Sequence, residues 1–308
     1  MLDAVNAFKA YDIRGIAGED ITTDFSRRLG SAIVEFTQAT SIAVGRDIRS
    51  SGESLKAALI QGIVESGCTV MDLGIVPTGV VYRSTVDLDV DSAIAITASH
   101  NPPEYNGFKI MHEGLPIAGG DLQRLKAIFE SPGRGKSNSP GTIVSKSEYH
   151  HTVIDAIVQD VGPLSRRVRV AVDSANAVPG PFMVELCDKL GVDLVDLNCS
   201  WDHGSPAHPA DPTRPENMTQ LSDLVANSDC EFGIGVDGDG DRIGVVDENG
   251  DFIHPDRLIG IFANDILADR KKGSSEEERT ILFDVKCSMG IQQAIEASGG
   301  CLLYTSDA

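Results

Sequence analysis

The sequence predicts an α/β protein made of tandem domains on mixed, largely parallel sheets, with a third domain cut short. Three observations predict it. β-Branched apolar runs alternate with segments of helical periodicity, the rhythm of a largely parallel sheet. The rhythm restarts after "ESPGRGKSNSPG" at 130–141, a Pro-, Gly- and Ser-rich stretch without apolar residues. And 308 residues are too many for one comfortable core.

The elements follow in order. "SIAVGRD" at 41–47 reads as a strand ending in polar residues. From Ser51 a helix carries Leu55, Leu59, Ile63 and Val64 at helical spacing, with Gly67 as its stop. "CTVMDLG" is the next strand, "TGVVYRSTVDL" after Pro77 a helix, and "SAIAIT" a buried strand. The second unit runs from the helix "SEYHHTVIDAIVQDV" through "RVRVAVDSANAVPGPFMVELCDKLG", a strand, loop and helix. It continues with the strand "VDLVDLN", the helix "NMTQLSDLVANSD" and two strands in "CEFGIGVDGDGDRIGVVDENGDFI". A third unit begins near His254 with the helix "PDRLIGIFANDILADR" and the strand "TILFDVK". The expected domains are 1–147, 148–252 and a partial 253–308.

Composition narrows the partners. Hydrophobic content of 41% and charged content of 23% are ordinary for a soluble globular protein. No run reaches the ~18 apolar residues of a membrane span, and the N-terminus shows no secretory pattern. Six cysteines without a C-x-x-C pair read as reduced thiols, so a cytoplasmic location is expected. The net charge of −20 argues against nucleic acid. An anionic substrate would need a local cluster of cations or metal to overcome that field.

The loop "GIGVDGDGDRIGVV" places Asp237, Asp239 and Asp241 at alternate positions between glycines. Three carboxylates this close suit a hard cation, Mg²⁺ or Ca²⁺. An EF-hand would also have Glu248 at position twelve, but Arg242 stands where the sharp turn needs Gly, and the flanks look like strands. Gly233, Gly235 and Gly238 match G-x-G-x-x-G by count, yet no amphipathic helix follows. A dehalogenase-like phosphatase with an Asp nucleophile and a plain acidic hairpin turn remain as alternatives. Arg242 beside three carboxylates calls for an anion, and a phosphate bridging metal and Arg242 would supply it. Phosphoryl chemistry needs a nucleophile. "TASHNP" at 97–102 offers Ser99 beside His100 after a buried strand, although a Ser capping a strand-to-helix turn explains the same residues.

Together these stretches resemble the α-D-phosphohexomutases. "TASHNPPEYNGFK" is similar to their active-site serine loop and "DGDGDR" to their metal loop. "KAYDIRG" at 9–15 resembles the N-terminal segment of the phosphomannomutase/phosphoglucomutase branch, and "FDVKCS" at 283–288 a third-domain segment with a substrate-facing lysine. The resemblance implies three-layer α/β/α domains, the serine loop in the first and the aspartate loop in the second. It implies Ser99 as the phosphorylated serine, with Asp237, Asp239 and Asp241 holding one Mg²⁺ that also contacts Ser99. His100, Lys109 and Arg242 would surround the transferring group, Arg14 and Lys109 would aid proton transfer, and Tyr11 and Lys286 would face the sugar. The implied activity interconverts hexose 1-phosphate and hexose 6-phosphate, of mannose or glucose, through a bisphosphorylated sugar. A hexose 1,6-bisphosphate would act as activator, and the protein would be a monomer or weak dimer.

The family's sugar loop of the type "GEMSGH" and the "SGT" phosphate loop of a fourth domain have no counterpart here. A truncated chain is therefore expected, with "CLLYTSDA" of doubtful origin and sugar preference open. The competing expectation is a catalytically incomplete fragment that binds metal and sugar phosphate.

Overall fold

In the computed structural model, residues 7–131, 137–202, 206–270, 275–284 and 286–305 are described. The first sheet is built from β1 (Ile13–Ile16), β2 (Ser41–Arg46), β3 (Thr69–Ile75), β4 (Ser92–Ile96), β5 (Tyr105–His112), β6 (Leu115–Pro116) and β7 (Ile143–Ser145). Its order is β1-β5-β4-β2-β3-β7, with β6 beside β5. β4, β2, β3 and β7 run parallel, while β5 is antiparallel to both β4 and β1.

Period-two alternation in these strands makes the three layers. Ile42, Val44, Ile94 and Ile96 point to one face, where α1 (Thr23–Thr37), α2 (Gly52–Glu65) and α4 (Gly119–Glu130) supply Leu29, Leu59 and Leu125. Ala43, Ala93 and Ala95 point to the other, against Val80 and Val81 of α3 (Thr78–Asp87). Leu29, Leu59 and Ile63 are fully buried; each contributes about 1.5–3 kcal/mol. α1 starts where Thr22 Oγ1 accepts from the Phe25 amide at 3.1 Å. It packs close on α2 because Gly62 has no side chain: a Cβ there would stand 1.9 Å from the Arg27 carbonyl oxygen.

The second sheet has the order β12-β11-β10-β8-β9, from β8 (Arg169–Asp173), β9 (Asp193–Leu197), β10 (Phe232–Val236), β11 (Ile243–Val246) and β12 (Phe252–Ile253). β9, β8 and β10 are parallel, and β11 turns back antiparallel to β10. α7 (Thr219–Ala226) covers one face through Leu221 and Val225. α6 (Pro179–Leu190) covers the other through Met183, Val184 and Cys187. α5 (Tyr149–Val161) lies at the seam. Its Tyr149 and Val153 join the core under the first sheet, and Tyr149 donates to Asp87 of α3 at 2.9 Å.

The third unit contains α8 (Pro255–Asp269), β13 (Thr280–Asp284), α9 (Met289–Ala297) and β14 (Cys301–Thr305). β14 follows α9 and pairs parallel with β13. Ala263, Leu267 and Ile295 form its small core.

Among the described residues, no helix is long and apolar enough to cross a membrane. Part of the loop expected at 130–141 lies outside the described residues, and its far end leads into β7 on the first sheet. The reading of Ser99 as a helix cap is corrected. No helix follows it; the chain runs from β4 through a loop into β5.

Candidate active site

Ser99 leaves the end of β4 with φ at +52°, a left-handed conformation that is uncommon outside glycine. Its amide donates to Thr97 Oγ1 at 2.9 Å. This turn aims a buried hydroxyl away from the first sheet and into the second. Ser99 Oγ donates to Asp237 Oδ2 at 2.7 Å, and His100 Nδ1 stands 3.2 Å from Ser99 Oγ. The aspartate loop joins β10 to β11, as the antiparallel return of the chain requires. Gly238 lets the loops touch: a Cβ there would meet the Ser99 carbonyl oxygen at 2.4 Å.

Asp237 and Asp239 are buried and Asp241 is exposed, and one oxygen from each lies within 4.8 Å of the others. The Asp241 and Arg242 amides bind Asp237 Oδ1 at 2.9 and 3.0 Å. Thr78, at the start of α3, donates through Oγ1 to Asp239 Oδ2 at 2.7 Å. Lys109 reaches from β5 to Asp239 Oδ2 at 2.6 Å and Asp241 Oδ2 at 2.5 Å.

Burial, with the charges of Asp239 and Asp241, pushes the Asp237 carboxyl up to about 7. Burial acts on Asp239 too, but Lys109 outweighs it and holds that carboxyl below the ordinary value. Burial would lower Lys109, yet the same two aspartates keep its ammonium above the usual lysine range. Burial, then the Arg242 charge, lowers His100 below 6.5, so its ring is neutral at pH 7.

The residues fit a hard cation. Asp239 Oδ1 is buried with no hydrogen-bond partner, a cost that a cation would remove. The donor set is all oxygen, as Mg²⁺ and Ca²⁺ prefer.

The other expected residues are placed as follows. Arg242 stands 3.9 Å from Asp237, 4.0 Å from Asp241 and 3.8 Å from Asp211. Arg14, on β1, donates to Asn101 Oδ1 of the serine loop at 2.6 Å and pairs with Asp12. Tyr11 is 61% exposed. Lys286 does not join the Ser99 group; it lines a separate cavity of about 450 Å³ with His254 and Arg257.

Arg49 is absent from the sequence-based set, yet all five of its N–H donors are used here. It binds the carbonyls of Ser99 (2.8 Å), Asn101 (2.7 Å), Pro102 (2.6 Å) and Tyr105 (2.9 Å). The fifth donor goes to Asp47 Oδ2 at 3.1 Å. One guanidinium therefore fixes the backbone of the whole serine loop. His208 was also missed. Its Nε2 lies 2.9 Å from Asp173 Oδ2, and it shares with Ser99, His100, Arg49 and Asn176 a cavity of about 390 Å³. Backbone carbonyls carry no residue identity, so Arg49 left no signal. His208 stood as a lone histidine in a Pro-rich stretch.

Comparison with known proteins bears on the two sheet-bearing domains. Residues 5–135 match "Phosphoglucomutase/phosphomannomutase, alpha/beta/alpha domain I", and residues 148–250 match domain II of that family. A phosphoglucomutase of Neisseria meningitidis serogroup A is 38% identical over 303 residues, covering 96% of this chain and 64% of that protein. A phosphomannomutase/phosphoglucomutase of Pseudomonas aeruginosa is 38% identical over 296 residues, covering 95% and 62%. The crystal structure of a phosphoglucomutase/phosphomannomutase family protein from Burkholderia thailandensis superposes with a TM-score of 0.91 at 34% identity. That match covers 100% of this chain and 67% of the other. The chain thus spans less than two thirds of the curated relatives it matches. With both domain matches in sequence order and the serine and aspartate loops meeting between the sheets, the chain belongs to the phosphoglucomutase/phosphomannomutase family.

Proposed function

We infer that this chain carries the phosphotransfer centre of a phosphohexomutase that interconverts hexose 1-phosphate and hexose 6-phosphate. Mannose and glucose phosphates are the substrate class, and the sequence leaves the choice between them open. The supporting observation is the contact between Ser99 Oγ and Asp237 inside a trio of aspartates faced by Lys109 and Arg242.

Phosphorylated Ser99 gives its phosphoryl group to the free hydroxyl of the sugar phosphate. The Ser99 Oγ–P bond breaks as the sugar O–P bond forms, and the proton of the sugar hydroxyl ends on the freed Ser99 Oγ. The bisphosphorylated sugar turns in the site, and Ser99 takes back the other phosphoryl group. A hexose 1,6-bisphosphate would recharge free Ser99. Arg49 holds the Ser99 backbone in the attacking conformation. Lys109 and Arg242 balance the charge of the transferring group. His100 is a neutral base at 3.2 Å from Ser99 Oγ and suits the proton that leaves and returns there. The raised Lys109 makes it a charge balancer before it is a base. Asp237, Asp239, Asp241 and Ser99 Oγ would hold Mg²⁺, which when bound neutralises the oxygens of the transferring group. Arg14 supports the loop through Asn101, and Tyr11 and Lys286 are assigned to the sugar. We assign a cytoplasmic location, supported by six unpaired cysteines, and a monomeric or weakly dimeric state.

Intact-mass analysis after incubation with glucose 1,6-bisphosphate and Mg²⁺ tests this. One phosphoryl group should be gained, mapped to Ser99, and absent in Ser99→Ala. A phosphate mapped instead to Asp237 would favour a dehalogenase-like phosphatase. No phosphate, with metal and sugar phosphate still bound, would favour an incomplete binding fragment.

A further inference from the structure

The first turn of α5 carries two adjacent histidines that the phosphotransfer chemistry does not use. His150 and His151 face Glu185 of α6, and one donor atom from each of the three lies within 4.8 Å of the others. Among the described residues, the other such group is the aspartate loop.

The ring nitrogens are already sorted. His150 Nδ1 lies 2.9 Å from the Ser147 carbonyl oxygen. A carbonyl only accepts, so Nδ1 carries the proton and Nε2 holds the lone pair. Orientation of a metal-binding imidazole by a backbone carbonyl is the usual arrangement. His151 places Nδ1 2.7 Å from Glu185 Oε1 and Nε2 3.2 Å from Glu148 Oε2. A proton on His151 now holds this ring to the two carboxylates, a task that a dication performs more strongly.

We propose that His150, His151 and Glu185, with Glu148 at the rim, form a binding site for a borderline first-row ion of the Zn²⁺, Ni²⁺ and Co²⁺ class. Two imidazoles and a carboxylate are the donor set of such ions and not of Mg²⁺. Bonds of about 2.0–2.1 Å put donor atoms of a tetrahedral site roughly 3.3 Å apart. Closing from 4.8 Å needs only side-chain rotation, and these side chains are part-exposed. Lys189 is the built-in competitor, 3.1 Å from Glu185 Oε1 and 2.6 Å from Asp155. The site pins α5 to α6. α5 also holds α3 of the first sheet through Tyr149 and Asp87, so the metal stiffens the seam between the two sheets that carry Ser99 and the aspartates.

The chain's one tryptophan gives the readout. Trp201 lines a cavity of about 100 Å³ with His150, Glu185 and Phe182, so a paramagnetic ion bound there quenches its fluorescence. The full chain is titrated with Ni²⁺ or Co²⁺ in millimolar Mg²⁺, which fills the aspartate loop. Saturable quenching at one equivalent is expected. His150→Ala and His151→Ala should each weaken it at least ~10-fold, the scale of losses seen even for outer-shell changes. Lys189→Met should tighten it. Affinity should fall as the pH drops, because protons compete with the metal for the imidazole lone pairs. Non-saturable quenching, equal affinity in the His150→Ala/His151→Ala double variant, or loss of quenching in Asp239→Asn would each overturn the proposal.

Discussion

Ser99 Oγ lies 2.7 Å from Asp237 Oδ2, although 138 residues separate them. One follows β4 of the first sheet and the other follows β10 of the second. The contact exists only while the two sheets are docked, so any change that loosens the docking acts on Ser99 and the three aspartates together.

The aspartate loop should bind Mg²⁺ chiefly through its buried members. Asp239→Asn keeps the shape and a partner for Thr78 but removes a charge next to an oxygen that has no hydrogen bond. Isothermal titration should show Mg²⁺ affinity falling at least ~10-fold, since hard cations are held by ligand charge. Unchanged affinity would remove the metal assignment.

Arg49 should be required for phosphorylation of Ser99 and for stability. Its fork satisfies four carbonyls at once, which the three donors of a lysine cannot do. Arg49→Lys should fold, yet take up phosphate from glucose 1,6-bisphosphate at least ~10-fold more slowly. Arg49→Met also strands Asp47, which is 3% exposed, and loss of such a partner costs about 3–5 kcal/mol. Asp47→Asn on top of Arg49→Met should recover part of that loss in urea unfolding. Phosphorylation of Arg49→Lys at the wild-type rate would show that the loop holds its shape unaided.

These two cases mark what could be read from sequence. The aspartate loop declared itself because alternate carboxylates on glycines are a local pattern with few explanations. Ser99 became legible only beside it. Arg49 acts on carbonyls of residues 50 to 56 positions away, and nothing in those residues' identities records it. β5 went unread because Asn106 and Gly107 break its apolar run, although Gly107 is needed where β1 approaches: a Cβ would meet the Ile13 carbonyl oxygen at 2.2 Å. α1 also went unread, although Phe25, Leu29, Ala32 and Ile33 stand at helical spacing. The neutral His100 and proton-loaded Lys109 were not readable, since both states follow from burial and from partners across the domain seam.

His208 should make stability depend on pH. Its hydrogen bond with Asp173 raises the ring above 6.5, against the lowering effect of burial. Folding therefore favours the protonated ring. That contribution is complete below about pH 6.5 and is lost as pH rises through the folded-state value. Urea midpoints measured upward from about pH 6 should fall more steeply for the native chain than for His208→Gln. Parallel slopes would show that the pair does not couple to folding.

Gly238→Ala tests the docking of the two loops directly. The added methyl would sit 2.4 Å from the Ser99 carbonyl oxygen and 3.6 Å from Ala210 Cβ. The first contact involves backbone that Arg49 already holds, so it cannot move aside freely. Overpacking of this kind costs about 1–3 kcal/mol. Here the larger effect should be on function, because relief requires Ser99 to retreat from Asp237. Both Mg²⁺ affinity and phosphorylation rate should fall, although Ser99 and the three aspartates are unaltered. Gly79→Ala, in α3 with nothing within 4 Å of the new methyl, is the matched control. It should leave both unchanged and cost no stability, since alanine is favoured over glycine in a helix by roughly 1 kcal/mol. If Gly238→Ala behaved like Gly79→Ala in both assays, the loops would have room to spare, and the close approach would not be what brings Ser99 to the aspartates.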